Sequence, residues 1–467
     1  MNIKFLGATE TVTGSRHLII TEKGKQVLLD CGLYQNKGSD NETLNRQLGL
    51  NPSEIEAVIL SHAHIDHSGN LPYLVKQGFA GKIYCTPATY DVCEILLADS
   101  AHIHENDIQY LNKKRKAQGL DPLKPLYTTK DMERCLKHFK PIPYDTKFTL
   151  NDEIQFMFTD AGHILGSAAV NITANEGGKL TRLCFTGDIG RSHDLLLKAP
   201  EKFPQADYII CESTYGDRLH EDAIGAETRL LEVVTKTCVE KKGKLIIPAF
   251  SLGRTQEIVY TLDRLKNAGL LPDIKVFVDS PLSTNATDIM RRHLSALNEK
   301  VQEYLKTDED PFGFNNLVYI KEAAESMKLN SYQQPCIIIS ASGMMEAGRI
   351  KHHLRNNISD KKNTVLIVGY CPPGSLGRKL LAGVKEVKIF GEPHKVEADI
   401  EEIASYSAHA DYNEMMEFLS CQQKDKVKQV FLVHGEDGAK IAWKQHLKEN
   451  GFNNIAIPEK GQLFKLT

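Results

Sequence analysis

The sequence has no stretch of about 20 apolar residues, the length that crosses a bilayer, and so offers no membrane span. It has no long apolar core near its start either. Met1-Asn2-Ile3-Lys4-Phe5-Leu6-Gly7 reads as a first strand rather than a signal peptide. There is no C-x-x-C pair. The ten cysteines are scattered, most of them in apolar runs, as Cys184 in Leu183-Cys184-Phe185 and Cys336 before Ile337. They read as reduced core residues of a cytoplasmic protein, and none is placed as a nucleophile. Charge excess is also missing. At a net −3 over 467 residues, a nucleic-acid partner needs a local basic cleft rather than a global field. No fixed-period repeat is present. The length suits about two to three domains.

The chain is organised around Ser61-His62-Ala63-His64-Ile65-Asp66-His67-Ser68-Gly69-Asn70. The apolar run Ala57-Val58-Ile59-Leu60 before it reads as a buried strand, while Ser68, Asn70 and Pro72 suit a helix start. The motif therefore lies on a strand-to-helix loop. In extended chain, side chains two apart point the same way, so His62 and His64 can share one ion. Where the chain turns, Asp66 and His67 can face a second. Mixed imidazole and carboxylate ligands favour Zn²⁺ over Mg²⁺ or Ca²⁺.

Further candidates stand at strand ends. Leu28-Leu29-Asp30-Cys31-Gly32 ends a strand in Asp30. That residue either shapes a turn or holds a ligand histidine by its free ring nitrogen. The alternating run 153–159 is a strand leading to Asp160-Ala161-Gly162-His163, where flanking glycines let the backbone come close and make His163 a candidate ligand. Leu183 to Asp188 is a strand ending in an acid whose two oxygens suit a bridge between ions. Tyr208 to Glu212 repeats that pattern. Residues 88–120 read as one or two helices. Their His102 and His104 do not share a face, and Lys113-Lys114-Arg115-Lys116 reads as a solvated helix face before it reads as a nucleic-acid site.

After Tyr215 the grammar changes. A helix over 222–241 precedes strand 244–249, helix 254–268, strand 274–278, helix 283–306, strand 336–340, helix 346–356 and strand 364–369. Such alternation predicts a parallel sheet with flanking helices. Three strand-end loops carry Arg254, Arg349 and Arg378 beside small residues. An arginine there suits phosphate, or it caps a helix and charges a surface. The tail returns to the first grammar: Ser407-Ala408-His409-Ala410-Asp411 precedes a helix, and Val430 to His434 is a strand ending in histidine. One domain built from two chain segments, with an α/β domain inserted between them, accounts for this order.

Together these residues resemble the β-CASP branch of the metallo-β-lactamase superfamily, over essentially the whole chain. Asp30 matches the first superfamily motif, His62, His64, Asp66 and His67 the second, His163 the third and Asp188 the fourth. Glu212, His409 and His434 match the three motifs peculiar to β-CASP nucleases. The resemblance implies an αββα sandwich from residues 1–212 and 395–467, with an inserted β-CASP α/β domain over 213–394. It implies two Zn²⁺ per chain, with Mn²⁺ as an alternative occupant. One zinc would be held by His62, His64 and His163, the other by Asp66, His67 and His434, with Asp188 bridging and Asp30 supporting from behind. The implied reaction is hydrolysis of single-stranded RNA, by endonuclease action or also from the 5′ end. Asp66 and Asp188 would orient the attacking water. His409 would protonate the leaving oxygen, and Glu212 would aim it. Ser407, Arg254, Arg349 and Arg378 would bind flanking phosphates in a cleft between the domains.

Within the resemblance, zinc β-lactamases carry a cysteine where this chain has Asp188. RNA-acting β-CASP members carry a histidine at the position of His434, where DNA-repair members usually carry an aliphatic residue. Neither the extra C-terminal domain of RNase J nor the KH region of archaeal relatives is expected, and a homodimer is compatible with the family. The alternatives are a small-molecule hydrolase of the same superfamily, a DNA nuclease of the same branch, and a non-catalytic RNA-binding subunit. The insert and His409 oppose the first, His434 the second, and the filled ligand positions the third.

Overall fold

A computed structural model describes residues 1–35, 40–220, 225–369, 371, 374–403 and 407–466. The chain forms two compact units, Met1–Leu219 with His409–Thr467, and His220–Ala408. No helix among the described residues is long and apolar enough to cross a membrane.

The first unit contains two seven-stranded sheets. One runs, in spatial order, Leu463–Lys465, Asn2–Phe5, His17–Ile20, Gln26–Leu29, Ile55–Ile59, Lys82–Cys85 and Phe139–Pro141. It opens antiparallel and turns parallel from Gln26–Leu29 onward. The other runs Ile455–Ala456, Gln429–Leu432, Tyr208–Cys211, Lys179–Phe185, Ala168–Glu176, Ile154–Asp160 and Phe148–Thr149. Period-two alternation sends Ile3 and Phe5 of one sheet, and Ile154, Phe156 and Phe158 of the other, into one shared core. Each fully buried phenylalanine there contributes about 1.5–3 kcal/mol. The outer face of the second sheet is covered by Met415 and Phe418 of helix Tyr412–Leu419 and by Trp443 and Leu447 of helix Asp437–Glu449. Helices Leu71–Lys76, Pro87–Ala117 and Thr129–Leu136 belong to the first sheet's half of the chain. The result is the expected αββα sandwich.

The second unit is a six-stranded sheet whose neighbouring strands are all parallel: Leu317–Ile320, Lys275–Asp279, Cys336–Ser340, Lys244–Pro248, Thr364–Ile367 and Asp399–Glu402. The β/α alternation predicted four of these strands. Asp399–Glu402 was not expected, because Asp-Ile-Glu-Glu carries no apolar run. It forms an edge strand, where charged side chains are tolerated. Its carboxylates pair with cations, Glu401 with Arg229 and Lys236, Asp399 with Lys236 and Lys241. By contact the second unit spans His220–Ala408. The expected helix over 283–306 is broken into Pro281–Arg292 and Glu299–Tyr304.

Within this unit Asp263, on helix Arg254–Asn267, is fully buried and accepts a 2.6 Å hydrogen bond from Tyr304 Oη. Burial pushes its carboxyl up to about 7; the Tyr304 bond opposes the rise and the nearby Asp308 and Asp310 add to it. A carboxyl whose folded pKa exceeds its unfolded value stabilises fully only below the unfolded value, and that stability is lost as pH rises through the folded one. Replacing Asp263 by Asn therefore raises the melting temperature, with a gain that widens between about pH 4 and pH 7 and is constant above. Parallel melting curves of the two proteins across that range check this; a gain independent of pH would show that Asp263 is ionised throughout.

Candidate metal centre

The strand ends of the first unit bring the charged residues together. His62 follows strand Ile55–Ile59, and Asp66 and His67 lie on the short helix Ile65–Ser68, with His64 at its cap. His163, Asp188, Glu212 and His434 each follow a strand of the second sheet. His409 precedes helix Tyr412–Leu419. Two groups of ligand atoms result, and they meet at Asp188. In the first, His64 Nδ1 lies 3.2 Å from both His62 Nε2 and His163 Nε2, and Asp188 Oδ2 lies 3.5 and 3.6 Å from the same two nitrogens. In the second, His67 Nε2 and His434 Nε2 are 3.1 Å apart, and Asp66 Oδ2 is 3.5 Å from His434 Nε2. Asp188 Oδ1 is 3.3 Å from His67 Nε2 and 3.4 Å from His434 Nδ1. One carboxylate thus turns an oxygen to each group.

Glu212 also lies close to Asp188 and His434. Its oxygens already accept from the backbone N–H groups of Ile189, at 2.6 Å, and Thr214, at 3.3 Å, and Oε1 stands 3.3 Å from His409 Nδ1. We read it as the holder of His409 rather than as a ligand. The His409 ring is partly exposed, 22% for its side chain, and packs over His163 at 4.4 Å between centroids.

Behind the ligands a network of buried hydrogen bonds fixes which nitrogen faces the centre. Asp30 is fully buried at φ 55°, a conformation that Asp tolerates better than most residues. It accepts from Ser61 N at 2.8 Å, Ser61 Oγ at 2.9 Å and Ser15 Oγ at 3.1 Å, and it receives His67 Nδ1 at 2.6 Å. That contact leaves His67 Nε2 for a metal. Gly32 is required beside Asp30, because a Cβ there would sit 1.6 Å from Asp66 O. Thr214 Oγ1 lies 3.1 Å from His434 Nδ1, and His434 itself is held at φ 52°, a strain tolerated at functional sites. The His163 loop is pinned by Ser167 Oγ, which accepts from His163 N, and by the Thr86 and Thr89 hydroxyls, which donate to Gly166 O. Ser15, Thr86, Thr89 and Thr214 carry no local signal; only Ser61, adjacent to His62, could have been suspected from sequence.

The electrostatics follow from burial and grouping. Burial lowers His62 well below the usual imidazole range and lowers His64. Burial also opposes charge on His67, but Asp188 and Asp30 outweigh it and hold His67 well above that range. Asp66 resists its own burial and falls to about 2 under the surrounding histidines. His409 is lifted to about 9, burial lowering it and Glu212 more than compensating.

Comparison with known families places this geometry. Residues 17–248 match the metallo-beta-lactamase superfamily, 255–380 the Beta-Casp domain, and 393–458 the Zn-dependent metallo-hydrolase RNA specificity domain. The chain is 33% identical over 442 residues to ribonuclease TTHA0252 of Thermus thermophilus, covering 95% of each protein. It is 31% identical to an RNase J-like protein of Methanocaldococcus jannaschii, over 93% of this chain and 92% of that one. It is also 31% identical to transcription termination factor FttA of Methanosarcina mazei, over 94% of this chain and 67% of that one. The chain belongs to the β-CASP branch of the metallo-β-lactamase superfamily. It is a metal-dependent hydrolase, and the His and Asp clusters are where this β-CASP protein can bind divalent metal.

The donor set fits that role. Tetrahedral ligands at about 2.0–2.1 Å from zinc are about 3.3–3.4 Å from one another. The separations of 3.1–3.6 Å found here bracket that value. Asp188 Oδ1 is buried and receives no aligned hydrogen bond, although two ring nitrogens lie within 3.4 Å. A buried carboxylate oxygen left so is costly unless a cation serves it.

The remaining expected site residues, Ser407, Arg254, Arg349 and Arg378, belong to the other unit. Two of these arginines are engaged there. Arg254 pairs with Glu257, and Arg349 donates to Asp279 at 2.7 Å and to the Lys321 carbonyl at 2.6 Å. Replacing Asp30 by Asn, which keeps shape but removes charge from the His67 contact, should weaken divalent-metal affinity about 10–100-fold. Titration against a competing chelator measures it; unchanged affinity would show that His67 is oriented without Asp30.

Proposed function

We propose that this β-CASP hydrolase is a two-zinc ribonuclease that cuts single-stranded RNA internally, in RNA processing or decay. The observation that carries the reading is Asp188, with one oxygen facing His62 and His163 and the other facing His67 and His434. His62, His64 and His163 would hold one ion and Asp66, His67 and His434 the other, with Asp188 shared. Bound there, zinc supplies Lewis acidity toward a phosphate oxygen and makes water a nucleophile near neutral pH. The chain's own groups do the rest. Asp66 and Asp188 accept hydrogen bonds from the attacking water and set its direction. His409, its Nδ1 turned to Glu212, presents Nε2–H to the leaving oxygen. Glu212 is a positioning residue that keeps the imidazole aimed and protonated. The match over 393–458 to an RNA specificity domain, and relatives named as ribonucleases, support RNA over a small ester as substrate. Ten free cysteines, nine of them buried, support a reducing, cytoplasmic setting.

The test uses zinc-loaded protein with one single-stranded RNA, labelled separately at its 5′ and 3′ ends, beside the matching DNA. Internal RNA fragments are expected. Release of 5′ nucleotides alone would make the enzyme an exonuclease with the same site. Cleavage of DNA but not RNA, or of neither, would overturn the reading. His409→Ala should lower turnover about 10²–10⁴-fold with metal content unchanged; loss of metal from that variant would make His409 a ligand instead.

A further inference from the structure

The helix Pro87–Ala117 is far longer than its packing requires. It starts at the pinned His163 loop, where its cap Thr86 and first-turn Thr89 hold Gly166. Its last buried residue is Ala101. Of the following 16 helical residues none is fully buried; His104 packs edge-on to the buried Tyr127 and Glu105 accepts from Thr129, and the last turns are held by polar contacts. Asn112 donates to Leu123 O and accepts from Leu123 N, and Arg115 Nε donates to Asp121 O. Such bonds brace a projecting spur against fraying. At a rise of 1.5 Å per residue, its tip stands roughly 40 Å along the helix from the Gly166 anchor.

The tip is rich in positive charge. Residues 113–124 carry five cationic side chains against one carboxylate, Asp121, on a chain whose net charge is −3. Lys113, Lys114 and Lys116 are exposed, and among the described residues none is in an ion pair. Some lysines elsewhere are paired, Lys25 with Asp152, Lys236 with Asp399 and Glu401, Lys306 with Glu303, whereas among the described residues this run has no carboxylate partner. Tyr110 is 59% exposed, with Lys114 Nζ 4.6 Å from its ring centroid. Tyr110, Lys113 and Lys114 lie at spacings of three and four, hence on one helix face. Uncompensated cations beside an open aromatic ring are the equipment for a single nucleic-acid strand: phosphates for the ammonium groups, a base for the ring.

We infer that the spur, through Tyr110, Lys113, Lys114 and Lys116, is a second RNA-contact surface that grips the backbone of a long substrate at a distance from the metal centre. This rests on the ribonuclease reading above. It makes affinity depend on substrate length, since a short oligomer at the metal centre cannot reach the spur.

The test compares cleavage of uridine oligomers of about 30 and about 6 nucleotides by zinc-loaded wild type, by the triple variant Lys113→Gln, Lys114→Gln, Lys116→Gln, and by Tyr110→Ala. For the long strand, KM should rise roughly tenfold in the triple variant with kcat unchanged, and the salt dependence of KM should lose about two units of log–log slope. Tyr110→Ala should raise the same KM less, with the slope unchanged. For the short strand, KM and kcat should match wild type in both variants. A control triple, Lys147→Gln, Lys202→Gln, Lys448→Gln, removes the same charge from exposed positions elsewhere on the first unit and should leave both substrates unaffected. An unchanged long-strand KM, an equal effect of the control, or an equal effect on the short strand would overturn the inference. So would a fall in molecular mass of the triple variant, which would assign the spur to a second copy of the chain. Failure of wild type to cut either RNA would sink the ribonuclease reading itself, and the spur assignment with it.

Discussion

A carboxylate buried among imidazoles governs the first unit. Asp188 is 2% exposed, and its two oxygens face different histidine groups. Without positive charge at that place, its burial would cost several kcal/mol. The fold supplies ring nitrogens on both sides of it, and divalent metal bound by these clusters would complete the compensation. Nearly everything else around it orients those ligands: Asp30 turns His67, Thr214 turns His434, and Ser167 with Thr86 and Thr89 fixes the loop of His163.

The residues that meet there come from opposite ends of the chain. His67 and His434 are brought to 3.1 Å across a separation of 367 residues. The sandwich makes this possible because its two sheets share one apolar core and so hold their strand ends in register. Strand Tyr208–Cys211 lies between Lys179–Phe185 and Gln429–Leu432, parallel to both. Their carboxyl ends therefore deliver Asp188, Glu212 and His434 side by side. Loops at such ends can carry strain, as the positive φ of Asp30 and His434 attests, because rigid strands on both sides hold them.

The spur and the inserted unit show charge used in opposite ways. On the edge strand Asp399–Glu402, carboxylates and cations neutralise one another, blunting an edge that would otherwise invite pairing. On the tip of helix Pro87–Ala117 the lysines are left without carboxylates, and the helix is braced by bonds that do not consume their charge. The first arrangement serves stability and solubility; the second is matched to an anionic strand.

The sequence by itself determined the local chemistry. His62, His64, Asp66 and His67 were legible because six consecutive residues on one loop bring their own ligands together, whatever surrounds them. The alternation of Ile154, Phe156 and Phe158, and the β/α rhythm of the insert, were legible for the same reason: period two and period 3.6 are local properties. What lay beyond reading were pairings made across long separations. Arg349 resembles a phosphate binder in its loop, but Asp279, 70 residues away, claims it. The strand Asp399–Glu402 has no apolar run; its sheet neighbour, its cation partners and the half-buried Ile400 hold it. Lys113 to Lys116 read as an ordinary solvated run, and only the tertiary structure left them braced, exposed and uncompensated. Local pattern specifies which groups a segment offers. Which of them are neutralised, buried or left open depends on partners that only folding brings within a few ångströms.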